Sequence, residues 1–124
     1  MKHQDVEKVL KRLGLEEVSR TKKAIGFASA GDLVEVYVNT ETKSSSNTLV
    51  IQPHYLTQKQ DLLNISGVIA GVPPERFSSN YRQFPKKETP KGKENYYGIP
   101  FGFSEPSALE EFLDVLGLVV AEPA

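Results

Sequence analysis

The sequence predicts an α+β domain: an antiparallel sheet, built as a three-stranded meander plus a further strand, covered by an N-terminal and a C-terminal amphipathic helix. Three observations carry this expectation. Apolar residues recur at helical spacing near both ends of the chain, and between them the period falls to about 2. The segments joining the apolar runs are rich in Gly, Asp, Asn and Ser. A lone sheet needs cover for its apolar side, so helix, strands and helix in that order place both helices on one face.

In the first helix Val6, Val9, Leu10 and Leu13 follow the i, i+3, i+4, i+7 pattern and leave Glu7, Lys8, Lys11 and Arg12 to solvent. Gly14 ends it, because a left-handed residue costs glycine no steric penalty. Leu109, Phe112, Leu113 and Leu116 repeat the stripe near the other end, with Ser104 and Pro106 marking the start and Gly117 the stop. Between the helices, LVEVYVN at 33–39 alternates Leu33, Glu35 and Tyr37 with Val34, Val36 and Val38, a strand with one face more buried than the other. AIGFA before it and TLVIQP after it share its composition, and SAGD and NTETKSSSN supply the turns. LLNISGVIAGV at 62–72 is apolar without a decisive period; Gly67, Gly71 and Pro73-Pro74 argue against a long helix, while a short helix, a strand and a packed loop all fit. YYGIPFGF at 96–103 adds an extended segment before the last helix.

With 124 residues, 39% of them hydrophobic, the chain has the size of one domain with a single core. Fifteen Lys and Arg against 16 Asp and Glu give a net charge of -1, which excludes the global basic excess of many DNA-coating proteins, so any anion-binding surface must be local. There is no cysteine, hence no disulfide scaffold, thiolate nucleophile or cysteine-ligated zinc. No apolar run approaches the roughly 18 to 20 residues that cross a bilayer, and the start MKHQDVEKVL sets charges among the first hydrophobics. A cytoplasmic protein without membrane contact is the expectation. No internal repeat stands out beyond the two similar helix patterns; SSS at 44–46 is the one short low-complexity tract, and residues 121–124 are expected to form a frayed tail.

The order of short motifs is also informative. KAIGF (23–27), VYVN (36–39), LVIQP (49–53), YRQFP (81–85), YYGIPFGFS (96–104) and ALEEFL (108–113) together resemble the YgaC-like family of small uncharacterised bacterial proteins, with YGIPxGFS the most distinctive block. The resemblance spans roughly Lys23 to Leu113 and implies a compact cytoplasmic α+β domain of unknown function. It brings no catalytic residues with it. The lysine-rich KKETPKGKEN is where this sequence departs from the family pattern.

The residue types that perform chemistry do not converge. A metal site would need His3, His54 and carboxylates, yet His3 is at the terminus and no HExxH or similarly tight ligand group exists. His54 has the intrinsic pKa for proton transfer near neutrality, but a histidine at the sheet edge, hydrogen-bonded to backbone, is the simpler reading. Serines at 44–46, 78 and 79 lack a GxSxG elbow and a legible histidine–acid partnership. The glycines form neither GxxxxGK[ST] nor GxGxxG. Glu16-Glu17 and Glu110-Glu111 are adjacent, and on a helix neighbours point about 100° apart, so adjacency does not make a two-carboxylate site. The expectation is a non-enzymatic domain with no cofactor.

One stretch stands out by charge. Residues 82–95 hold Arg82, Lys86, Lys87, Lys91 and Lys93 against Glu88 and Glu94 only. Pro85, Pro90 and Gly92 disfavour regular structure, which predicts a projecting basic loop entered by Tyr81 and Phe84 and left by Tyr96 and Tyr97. Such a loop suits nucleic acid or another acidic polymer: Lys86, Lys87, Lys91 and Lys93 supply charge, Arg82 a phosphate fork, and Tyr96 or Tyr97 a stacking surface. The structural alternative makes the aromatics core residues and the lysines a solvated loop guarding a sheet edge. A third reading is a protein-partner module, such as an immunity or inhibitor protein acting on a toxin or nuclease, with Glu105, Glu110, Glu111 and Asp114 of the last helix as its acidic face.

Overall fold

The computed structural model describes residues 1–42 and 46–119. Along them run α1 (His3–Arg12), β1 (Glu16–Arg20), β2 (Ala24–Ala28), β3 (Val36–Asn39), β4 (Leu49–Ile51), a 3-10 helix (Pro53–Gln58), α2 (Lys59–Leu63), β5 (Val68–Ala70), β6 (Arg76–Phe77), β7 (Lys86–Glu88), β8 (Glu94–Phe103) and α3 (Pro106–Val115). The class is α+β, and every strand pairing is antiparallel. The sheet order is β1-β2-β3-β4-β8-β5, with β6 and β7 pairing to β8 off that path. The expected tail at 121–124 and two of the three serines at 44–46 lie outside the described residues.

The expected meander corresponds to β2, β3 and β4, and the extended segment before the last helix is β8. The sheet is nevertheless larger than the sequence suggested. EEVSR of β1 has a single apolar residue and was not foreseen; its charges suit an edge strand, bonded on one side to β2. The ambiguous stretch 62–72 divides into the end of α2 and the short strand β5. Residues 33–35 fall outside β3, although Glu35 is still fastened there: its N–H donates to the Phe27 carbonyl, and its carboxylate accepts from the Ser29 N–H and hydroxyl at 2.7 Å each.

Strand alternation sorts the side chains. Ile25, Phe27, Val36, Val38, Leu49, Ile51, Ile99, Phe101 and Phe103 form one core with Val6, Val9 and Leu10 of α1 and Leu109, Phe112 and Leu113 of α3. Phe112 sits edge-on between Phe101 and Phe103, with both centroid distances 5.0 Å. Gly14 and Gly117 follow the helices at φ 94° and 78°, the left-handed stops their positions predict.

The opposite face departs from expectation. Tyr37 points away from the helices and yet is 2% exposed. The reason is YRQFP: Tyr81 and Phe84 pack over Tyr37 at 5.2 and 4.8 Å, closing a second cluster with Ala24, Val34 and Val50. Gln83 fastens this cover, accepting from the Val34 N–H at 2.8 Å and donating to the Asp32 carbonyl at 3.1 Å, while its backbone N–H donates to the Tyr37 hydroxyl at 3.3 Å. Gly98 keeps the approach open, because a Cβ there would lie 3.0 Å from the Phe84 ring and 2.9 Å from the Ile51 carbonyl oxygen.

Candidate functional site

The basic segment is not the irregular loop that its prolines and glycine suggested. Lys86–Glu88 and the start of β8 form a β-hairpin in the register Lys86↔Tyr96, Lys87↔Asn95 and Glu88↔Glu94. The structure-breaking residues fall where a hairpin tolerates them. Pro85 precedes β7 and contributes only its carbonyl, which accepts from the Tyr97 N–H at 3.0 Å. Pro90 and Gly92 sit in the turn, Gly92 at φ 83°, with the Thr89 N–H donating to the Lys93 carbonyl and the Gly92 N–H to the Thr89 carbonyl. β6 also pairs with this half of β8, through Arg76↔Gly98 and Phe77↔Tyr97.

The aromatics of the segment separate into two kinds. Tyr81 and Phe84 belong to the second core, at 1% and 3% exposure. Burial raises the Tyr81 phenol above its ordinary pKa, even though the Arg76 guanidinium donates to its oxygen at 3.1 Å. Tyr96 and Tyr97 are half-buried. Tyr96 packs against the second core with the Lys86 ammonium 4.9 Å from its ring centroid. Tyr97 lies beside Phe77 at 5.9 Å, and the Lys87 ammonium stands 5.2 Å from its centroid.

Among the described residues Lys87 is the one candidate cation with an anionic partner, the Glu75 carboxylate at 2.6 Å, and that hydrogen bond raises its pKa. Arg82, Lys86, Lys91 and Lys93 are exposed and form no ion pair with another described residue. Phe77 and Glu75 were not singled out from the sequence. RF between Pro-Pro and Ser-Ser is too short for periodicity to reveal, and only the pairing of Phe77 with Tyr97 brings it to the hairpin.

The remaining candidates are dispersed. His54 lies in the 3-10 helix rather than at a sheet edge, exposed, its ring 4.0 Å from that of Tyr55; ring contact replaces the expected backbone hydrogen bond. His3 opens α1 and, with Lys2, Gln4 and Thr42, lines a shallow depression of about 310 Å³. Among the described residues no group of three or more His, Asp or Glu is placed to hold a metal ion, and no helix is long and apolar enough to cross a membrane.

Comparison with known proteins agrees with the order of motifs. The family described as "Protein of unknown function (DUF2002)" matches residues 1–117. The chain belongs to this family. Curated relatives named "Uncharacterized protein YgaC", from Escherichia coli O6:H1, Escherichia coli O157:H7 and Shigella flexneri, are each 32% identical over 112 residues, covering 90% of this chain and 90% of theirs. The six motif blocks acquire structural meaning in the fold. KAIGF holds most of β2, VYVN and LVIQP hold β3 and β4, YRQFP is the cover of the second face, YYGIPFGFS holds most of β8, and ALEEFL carries the buried Ala108, Leu109, Phe112 and Leu113 of α3.

Proposed function

We propose that this chain is a non-enzymatic cytoplasmic binding domain that takes nucleic acid or another acidic polymer on its basic hairpin. One observation carries the reading. Lys86, Lys91 and Lys93, free of ion-pair partners among the described residues, lie on the β7–β8 hairpin that carries Tyr96 and Tyr97, and Arg82, likewise unpaired among them, sits in the YRQFP segment just before it. The other lysines without an ion pair among the described residues, Lys2, Lys8, Lys22 and Lys59, are scattered: Lys2 just before α1, Lys8 on α1, Lys22 in the β1–β2 turn and Lys59 on α2. Ammonium groups held on a strand pair attract phosphates and release counterions, and rings beside them offer π-faces to bases. The protein-partner reading, an immunity or inhibitor module presenting the acidic face of α3, draws less support, because Glu110 of that face is already bridged to Arg12.

The test is fluorescence anisotropy of labelled single-stranded and duplex oligonucleotides over a salt series, for the parent and for Lys86, Lys87, Lys91 and Lys93 all changed to Gln. Phosphate contact predicts weaker binding by the variant across sequences, and a salt slope shallower by up to four times roughly 0.7 on single strands and four times roughly 0.9 on the duplex if each lysine meets one phosphate. A parent that binds neither oligonucleotide at low salt, or a variant with an unchanged slope, removes the hairpin as a polyanion site.

A further inference from the structure

The hairpin has two faces, and the register makes them chemically different. Residues directly opposite one another in an antiparallel pair share a face, and successive residues alternate. Tyr96 therefore shares its side with Lys86 and, further out, with Glu88 and Glu94, which stand opposite each other. On the hairpin itself that face carries two carboxylates to one ammonium; Arg76, set on the same side by its pairing with Gly98, is bonded to Glu41 and the Tyr81 hydroxyl, and part of the Tyr96 ring is spent on the Tyr81 and Phe84 cluster. Tyr97 shares the other side with Phe77, Lys87 and Asn95, and one further step of the alternation adds Lys93. Here two ammoniums face one carboxylate, Glu75, which is bonded to Lys87. The Phe77 and Tyr97 rings, 5.9 Å apart and 33° from parallel, make a half-buried two-ring platform between these charges.

We infer that the Tyr97 face of the hairpin is a site for single-stranded nucleic acid, with Phe77 and Tyr97 as the stacking platform, Lys87 and Lys93 on the phosphates and Asn95 toward base or sugar edges. This rests on the polyanion reading above and adds which face and which form of nucleic acid. Rings on a sheet surface accept unpaired bases, whose π-faces a duplex hides. The Tyr96 face suits the task less, since Arg76 there is already paired with Glu41 and a phosphate beside Lys86 would meet Glu88 and Glu94. Binding on the Tyr97 side draws Lys87 from Glu75 to a phosphate, an exchange of one anion for another at a partly exposed position, where the existing pair holds weakly.

The experiment compares faces in one anisotropy series, using labelled 15-nucleotide oligo-dT, oligo-rU and a 15-base-pair duplex with parent, Tyr97→Ala, Tyr97→Leu, Tyr96→Ala, Lys87→Gln/Lys93→Gln and Lys86→Gln, each checked for folding by thermal melting. Expected are tighter parental binding to a single strand than to the duplex, and a loss of about 5- to 150-fold on the single strand for both Tyr97 variants. Tyr96→Ala should cost several-fold less than Tyr97→Ala, and Lys86→Gln less than Lys87→Gln/Lys93→Gln, because the ring and the charge on the Tyr96 side are partly spent on the second cluster and on Glu88 and Glu94. The Leu variant retains apolar volume, so its loss reports stacking even if the Ala variant unfolds. Loss on the Tyr96 side with Tyr97 indifferent overturns the assignment of the face. Equal binding of duplex and single strand with both tyrosines indifferent, but still sensitive to the quadruple lysine change, overturns this inference and leaves the polyanion reading standing. A parent that binds none of the three probes removes both.

Discussion

Strand β8 passes through two environments, and its aromatic residues divide accordingly. From Ile99 to Phe103 it lies between β4 and β5 beneath α3, and Phe101 and Phe103 are fully buried. From Glu94 to Gly98 it lies between β7 and β6, and Tyr96 and Tyr97 stay half-buried. The backbone geometry is the same in both halves. What differs is whether a second layer reaches that far: Phe112 fills the space over Phe101 and Phe103, whereas Tyr97, flanked by Phe77 and the Lys87 ammonium, stays half-buried. An aromatic residue in a strand is thus core or surface according to its neighbours, and the boundary falls within a single ten-residue strand.

The strongest test of this contrast removes the second layer from the inner half. Phe112→Ala deletes the ring between Phe101 and Phe103, and a cavity of that kind costs about 3–5 kcal/mol. Tyr97→Ala in the outer half should cost nearer 1 kcal/mol, the ordinary figure for a substitution outside the core. Urea titrations of the two variants give the comparison directly, and equal costs would mean that the outer half is as much core as the inner. A smaller effect is expected where the halves meet. Gly98→Ala sets a methyl against Val50, the Ile51 carbonyl and Phe84, so overpacking should destabilise by about 1–3 kcal/mol, read in the same titration.

The division explains what the sequence made legible. The helix stripes and the period-2 runs lead to the inner core because each buries one face against a layer of matching period, as with Val6, Val9 and Leu10 or Val36 and Val38. YRQFP gave no periodic signal, because Tyr81 and Phe84 cover the second face from irregular backbone, and the Tyr37 contact they make is distant in the chain. The hairpin was misread for a related reason: Pro85, Pro90 and Gly92 argue against structure only when their positions in the ladder are unknown. β1 was hidden by its charges, which mark an edge strand as easily as a loop. Of the candidate site, the charges were legible one by one. Their division between two faces was not, because a single residue of register exchanges the faces.

Alkaline titration probes the second face. Burial raises the Tyr37 and Tyr81 phenols above their ordinary pKa. A group raised on folding gives stability that is complete below its unfolded value, about 10 for tyrosine, and is lost as pH rises through the folded value. Stability should therefore decline above about pH 10, and Tyr81→Phe should flatten that decline. An identical alkaline slope in parent and variant would place the sensitivity elsewhere than under the YRQFP cover.

Acid titration probes the other end of the sheet, where charge is used differently from the hairpin. Arg20 of β1 donates to both Glu7 of α1 and Glu17, with Lys11 beside them, so that cations here are consumed in pairing. For Glu7, burial works to raise the pKa, but hydrogen bonds from Arg20 and Lys11 outweigh it and leave the carboxyl below its usual value; for Glu17 the Arg20 hydrogen bond is the leading cause of the same direction. A carboxyl depressed on folding contributes stability that is present above the unfolded pKa, about 4.3 for glutamate, and is lost as pH falls through the folded one. Arg20→Gln should thus leave the protein slightly less stable at neutral pH and make its acid unfolding curve shallower below about pH 4. The effect is the smallest expected here, because the groups are partly exposed and salt screens them. Raising the salt concentration should shrink the difference between parent and variant. If Lys86→Gln in the hairpin flattened the acid curve as much as Arg20→Gln, the contrast between a paired edge and an unpaired arm would fail.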